Sequence, residues 1–213
     1  LMIQALLLLL LTGGEILDRL ALSLGDEIIT EQQLLLHLRT AALLNGEPSK
    51  ETPADRRRAA QKLIELALIR IEMQTNRYPL PDDAQMKAAL EAIKKQRFGG
   101  DDATYKRALA QSKVGEAELL DSLKWQLAIL SFIDFRFRPG VQIPEEEIRD
   151  YFQYDYPKEF AGRIKESYNQ ARPEILELLT QQRIDNLLDR WLNQTEAATR
   201  VRWVEAVFAG GQR

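Results

Sequence analysis

Apolar and polar positions alternate near the start of the chain. In Leu17–Leu24, Leu20, Leu22 and Leu24 are interleaved with Arg19, Ala21 and Ser23, the period of a strand with one buried face. Gly25-Asp26 interrupts the run as a two-residue hairpin turn, and Glu27-Ile28-Ile29 forms the return strand. Thr30 is placed as a helix N-cap, with Gln33 three residues on to complete a capping box. Two short strands are not stable alone in water, so the pattern calls for a third strand and a helical support.

The remaining chain reads as helices. The first spans about Glu31 to Leu44 and closes at Asn45-Gly46. A polar loop follows from Glu47 to Thr52, and Pro53 opens the second helix from its first position. Between Leu63 and Met73 that helix is apolar on most sides (LIELALIRIEM), which predicts a central core element. Asp82 and Asp83 start a third helix with Met86, Leu90 and Ile93 on one face, ended by Phe98-Gly99-Gly100. Asp101 or Asp102 caps a fourth, with Tyr105 and Leu109 one turn apart. A fifth runs from Glu116 to about Arg138, its buried face expected at Leu120, Leu123, Leu127 and Leu130.

Val141-Gln142-Ile143 is extended, since the residue before Pro144 avoids helical angles. Pro144 then starts a sixth helix, EEEIRDYFQYDY, with Glu145, Glu146 and Glu147 in its first turn. Lys158–Asn169 reads as either loop or continued helix. A last long helix is expected from Pro173 to Glu196, and Arg200–Val204 reads as a strand that pairs with the hairpin. The expected fold is mostly α, helical arms with a small antiparallel sheet formed by the N-terminal hairpin and the C-terminal strand. Gly210–Arg213 is expected to fray. No fixed-period repeat is visible, and the leucine run at the N-terminus is the one low-complexity stretch.

That run, Leu1–Leu11, contains Gln4 as its polar residue and is followed by Thr12-Gly13-Gly14. As a helix it would span roughly 16 Å, about half a hydrocarbon core. Its length matches the hydrophobic region of a signal peptide ahead of small residues, although no basic residue precedes it. Residues 1–14 are therefore expected to direct export, with a buried helix or an uncleaved inner-membrane anchor as alternatives.

Composition narrows the function. The chain of 213 residues is 45% apolar, long enough for a substantial core. A net charge of −3 argues against a general nucleic-acid binder, and the absence of cysteine excludes disulfides, thiol chemistry and a cysteine zinc site. No phosphate-binding loop or GxGxxG motif is found, and Gly99-Gly100 reads as a helix stop. His37, the lone histidine, reads as structural. Asp82-Asp83, Asp101-Asp102 and Glu145–Glu147 read as helix-start charges, and Arg56-Arg57-Arg58 as a solvated helix face. No catalytic residue, metal ligand or cofactor is expected.

Aromatic residues are the remaining signal. Phe132, Phe135 and Phe137 lie in SFIDFRFR, and Tyr151, Phe152, Tyr154 and Tyr156 in YFQYDY. They wrap more than one helix face, so some are expected outside a single core, where clustered apolar surface marks binding. Met73 and Met86 are adaptable side chains suited to the same purpose. Candidate peptide-binding residues are thus Met73, Met86, Phe132, Phe135, Phe137, Tyr151, Phe152 and Tyr154, with core packing as the competing role for each.

Taken together, SLGDEIITEQQL (Ser23–Leu34), LIELALI (Leu63–Ile69), LPDDAQMKAAL (Leu80–Leu90), the helix start at Gly115–Leu127, FRPGVQIPEEEIRDYF (Phe137–Phe152), LLDRWL (Leu187–Leu192) and VRWV resemble the N-terminal chaperone module of SurA-type periplasmic folding factors. Gly115 and Pro81 stand where that family often has a Ser or Thr cap. In the family the chain usually leaves the module after the helix matching Glu145–Tyr156, forms parvulin-type prolyl isomerase domains, and returns for the last helix. Here roughly 16 residues separate Tyr156 from Arg172, against ~50 or more for a domain, so no isomerase insert is expected. The resemblance implies one chaperone domain over 15–213, with 15–156 completed by the helix and strand of 172–208. It further implies an exported, periplasmic, ATP-independent holdase for unfolded or outer-membrane-bound polypeptides, without nucleic acid. Alternatives are a membrane-anchored scaffolding component of an envelope complex and, further off, a prolyl isomerase. Monomer and homodimer both remain open.

Overall fold

Gly25 adopts φ 58°, the positive angle that a two-residue turn starting on glycine requires, and brings Leu20–Leu24 (β1) back as Glu27–Thr30 (β2). The computed structural model describes residues 18–159 and 167–209. Leu17, the leucine run with its proposed export signal, residues 160–166 of the ambiguous stretch and the Gly210–Arg213 tail lie outside them.

The helices follow their caps. Glu31–Asn45 (α1) starts at Thr30, whose Oγ1 accepts from the Gln33 N–H (3.2 Å) while Gln33 Oε1 accepts from the Thr30 N–H (2.9 Å). It ends at Gly46 in the left-handed conformation. Pro53–Thr75 (α2) has Thr52 as N-cap and Asp55 closing the box. Asp83–Phe98 (α3) is capped by Asp82, not Pro81: Asp82 Oδ1 accepts from the Gln85 N–H at 2.8 Å. Asp101 caps Asp102–Ser112 (α4). Gly115 has no side chain to cap Glu116–Phe137 (α5), but its N–H donates to Glu118 (2.7 Å), half of a capping box. A 3-10 turn, Arg138–Gly140, leads to Glu145–Tyr154 (α6) and the short Tyr156–Glu159 (α7).

The last long helix, Tyr168–Ala198 (α8), begins five residues before the expected Pro173. Ser167 and Gln170 cap it (Ser167 N–H to Gln170 Oε1, 2.9 Å), and the turn before the proline is held by Ala171, buried against α6, and by Arg172, paired with Glu145. Val201–Trp203 (β3) and Glu205–Phe208 (α9) close the described chain. The α9 turn has no counterpart in the pattern-based reading and buries Val207 and Phe208.

Among the described residues the sheet has the order β2-β1-β3, both pairs antiparallel, with Leu22 opposite Trp203 and Leu24 opposite Val201. The expected fold class is therefore present. The simple alternation of β1 is not: a bulge between Leu20 and Leu22 leaves Leu20 exposed and buries both Ala21 and Leu22. The main core joins the two ends of the chain, packing Leu22, Leu24, Ile64, Leu68, Met73, Ile129 and Phe132 with Ile184, Leu192 and Phe208. A second cluster holds Leu43, Tyr105, Leu109, Leu119 and Leu123, with Met86, Leu90 and Ile93 against it. Burial and the neighbouring Glu116 push the Tyr105 hydroxyl up to about 12.

Because α5 serves both clusters, its buried face is set differently from the expected leucines. Leu119, Leu123, Ala128, Ile129 and Phe132 are inside, Leu120 and Leu127 are half-buried, and Leu130 is 65% exposed.

A third cluster, Ile148, Tyr151, Tyr156, Ala171, Ile175 and Leu179, packs α6 and α7 on α8. Its polar border is ionic: Glu145 pairs with Arg172 (2.7 Å), Glu147 with Arg183 (3.1 Å) and Glu177 with Arg138 (2.9 Å). The glutamates of the α6 first turn thus do more than face a helix dipole. The Arg172 hydrogen bonds, with that of Tyr168, hold the Glu145 carboxyl down at about 2 against an ordinary 4.5. A depressed native value favours the fold while the group is ionised. The contribution is complete above about pH 4.5 and disappears as pH falls toward about 2. Glu145→Gln is expected to flatten the acid limb of a thermal-melt series over that window; an unchanged limb would contradict the pairing.

Candidate functional site

The site follows from α2 being apolar on two sides. Ile64, Leu68, Ile69 and Met73 face the main core. The opposite stripe, Leu63, Leu66, Ala67, Arg70, Ile71 and Gln74, has the same i, i+3, i+4, i+7 spacing and lines a groove of about 360 Å³. Two other helices present faces with that period to it: Gln33, Leu36, His37 and Thr40 from α1, and Glu118, Asp121, Ser122, Trp125, Gln126 and Ile129 from α5. Glu27, Ile28 and Ile29 of β2 form one end. Concave, largely apolar surfaces with a few polar groups are the usual form of a binding site.

Arg70 is the unusual member. It is half-buried, its guanidinium lies 4.6 Å from the centre of the Trp125 ring, and its fully buried Nε has no hydrogen-bond partner. Burial pushes it below its ordinary value, against the pull of the Asp121 and Glu27 carboxylates. Thr40, 3% exposed, likewise has an Oγ1 without a partner. Buried donors in this state are uncommon in native proteins. Glu27, Glu118 and Asp121 put three carboxylates at the border of the groove, all on exposed residues.

His37 also lines the groove. Burial, together with Lys62 and Arg70, lowers its pKa from the ordinary 6.5. The neutral ring is favoured in the fold, so its contribution to stability is complete above pH 6.5 and declines as pH falls through the native value. With one histidine in the chain, a single imidazole resonance reports this directly. Its NMR midpoint is expected below 6.5; a midpoint at or above 6.5 would contradict the burial of the ring beside Lys62 and Arg70.

The eight candidate residues named from sequence do not converge. Met73, Phe132 and Phe137 are in the main core, Met86 packs on the second cluster, and Tyr151 and Phe152 belong to the third. Phe132 touches Tyr78 edge-on at 4.8 Å and stacks near Trp191. Phe135, 70% exposed, and Tyr154, 57% exposed, are on the surface. None of the eight lines the groove.

No protein-family model and no curated protein matches this chain. Among the described residues no three His, Cys, Asp or Glu side chains are grouped to hold a metal ion, and no helix is long and apolar enough to cross a membrane. The three arginines Arg56, Arg57 and Arg58 are each ion-paired, with Glu31 (2.7 Å), Glu205 (2.5 Å) and Asp55 respectively. Arg56 also donates to the Val207 carbonyl at 3.2 Å, so the basic run ties α2 to α1 and to the C-terminal turn.

Proposed function

We propose that the protein is an ATP-independent holdase of the SurA type, exported to the periplasm, which captures unfolded polypeptides in the groove between α1, α2, α5 and β2. The observation that carries this reading is the half-buried apolar stripe of α2, Leu63, Leu66, Ala67 and Ile71, which borders the main core yet lines the groove opposite Leu36, Trp125 and Ile129. Burying one apolar side chain contributes roughly 1.5–3 kcal/mol. A groove of this size takes a few such side chains, which gives weak, reversible capture without nucleotide. Keeping the unfolded state bound slows aggregation by mass action.

Light scattering of a heat-aggregating client tests it. Suppression is expected at a few-fold molar excess of this protein without ATP. Ala67→Trp, which fills the groove, is expected to abolish suppression, whereas Leu130→Ser on the outer face of α5 retains it. No suppression by the unaltered protein would overturn the reading.

A further inference from the structure

The sheet leaves one free edge beside the groove, and that edge has an orientation. The Gly25 N–H donates to the Arg200 carbonyl at 3.0 Å, so the odd-numbered residues of β1 at this end face β3. Ser23 therefore faces β3, although it stands opposite Ile28 in the ladder. Residues of an antiparallel pair alternate between hydrogen-bonded and non-bonded, so the Ile28 N–H and C=O point away from β1. Ile28 is 58% exposed and is one of the β2 residues at the end of the groove. Next along the strand, the Thr30 N–H is already taken by Gln33, which confines the open pairing position to Ile28.

Resting on the holdase reading, we infer that the occupant of the groove is an extended apolar segment of an unfolded polypeptide, paired with Ile28 at the β2 edge and followed by a Lys- or Arg-bearing flank. An extended chain adds to a strand edge through its own backbone. It also keeps its carbonyls available for the Arg70 guanidinium, whereas a helix uses its carbonyls internally. Alternate side chains of such a segment enter the groove between Leu36, Leu66 and Trp125. Among the residues lining the groove, Glu27, Glu118 and Asp121 bring three carboxylates against one arginine, Arg70, so the flank they favour is basic.

The test is fluorescence anisotropy with a labelled peptide of alternating valine and leucine ending in two lysines, compared with one ending in two glutamates. The lysine peptide is expected to bind about tenfold more tightly at low salt, with the advantage shrinking as salt screens it. Ile28→Pro removes an N–H that points away from β1 and has no partner among the described residues, so an edge strand tolerates it. It is expected to weaken binding about tenfold beyond Ile28→Ala, which removes the side chain alone. N-methylation of the central peptide amides makes the same cut from the client side on the unaltered protein, with a comparable loss expected. Affinity indifferent to flank charge, or to both the proline and the N-methyl groups, would overturn the inference while intact aggregation suppression left the holdase reading standing. Loss of suppression in the unaltered protein would instead remove the reading on which it rests.

Discussion

Phe132→Ala is expected to cost about 3–5 kcal/mol in a denaturant melt, the range for truncating a buried aromatic side chain. Phe132 is 1% exposed and stands at the centre of the ring cluster of Tyr78, Phe137 and Trp191, 4.8, 6.4 and 6.2 Å away. Arg136, paired with Glu72, lies over three of these rings and holds a cation against them. Edge-to-face pairs add about 0.5–1.5 kcal/mol beyond area burial, so the truncation removes both volume and specific contacts. Phe135→Ala, three residues along the same helix but at the surface, is expected to change stability by only about 0.5 kcal/mol. Equal effects at the two positions would mean that α5 is rotated from the arrangement described.

The second large effect is expected from ending the chain at Thr199. This removes β3 and α9, and with them Trp203, Val207 and the buried Phe208, whose ring meets Trp203 at 5.1 Å. It strips β1 of its β3 partner, where Leu22 and Leu24 now stand opposite Trp203 and Val201 and are wholly buried. It also deletes the Val207 carbonyl that accepts from Arg56. Loss of one large aromatic group costs about 3–5 kcal/mol, and total stabilities are commonly about 5–15 kcal/mol. The shortened protein is therefore expected to lose its cooperative melt by circular dichroism. A sharp transition close to that of the full chain would show that the shared sheet contributes little.

Local signals in the sequence place the elements well because each rests on a cap or a breaker. Thr30 with Gln33, Thr52 with Pro53, Asp82, Asp101, and the glycines at positions 25, 46 and 99 fix where strands and helices start and stop, and the C-terminal strand pairs where expected. Positions decided by packing are less legible. The bulge that exposes Leu20 depends on how Ala21 meets β3. The face of α5 depends on two different clusters at its two ends, which leaves Leu130 outside. The start of α8 depends on Arg172 reaching Glu145, a contact 27 residues apart in sequence. The groove had one signal, the all-round apolar character of Leu63–Met73, which implies a second partner for α2 beyond the core. The crowded aromatics of SFIDFRFR and YFQYDY carry no signal for it, since most of those rings are in the core. A half-buried arginine inside that apolar stretch, Arg70, marks the site better than any aromatic does.

Site-specific photo-crosslinking tests capture in the groove most directly. A photoreactive phenylalanine analogue is placed in turn at Leu66 on the groove wall, and at Leu130 and Tyr154, both exposed and outside it. Each protein is irradiated with an unfolded client. Adducts concentrated at Leu66 are expected. Adducts at Leu130 and Tyr154 with none at Leu66 would contradict capture between α1, α2 and α5.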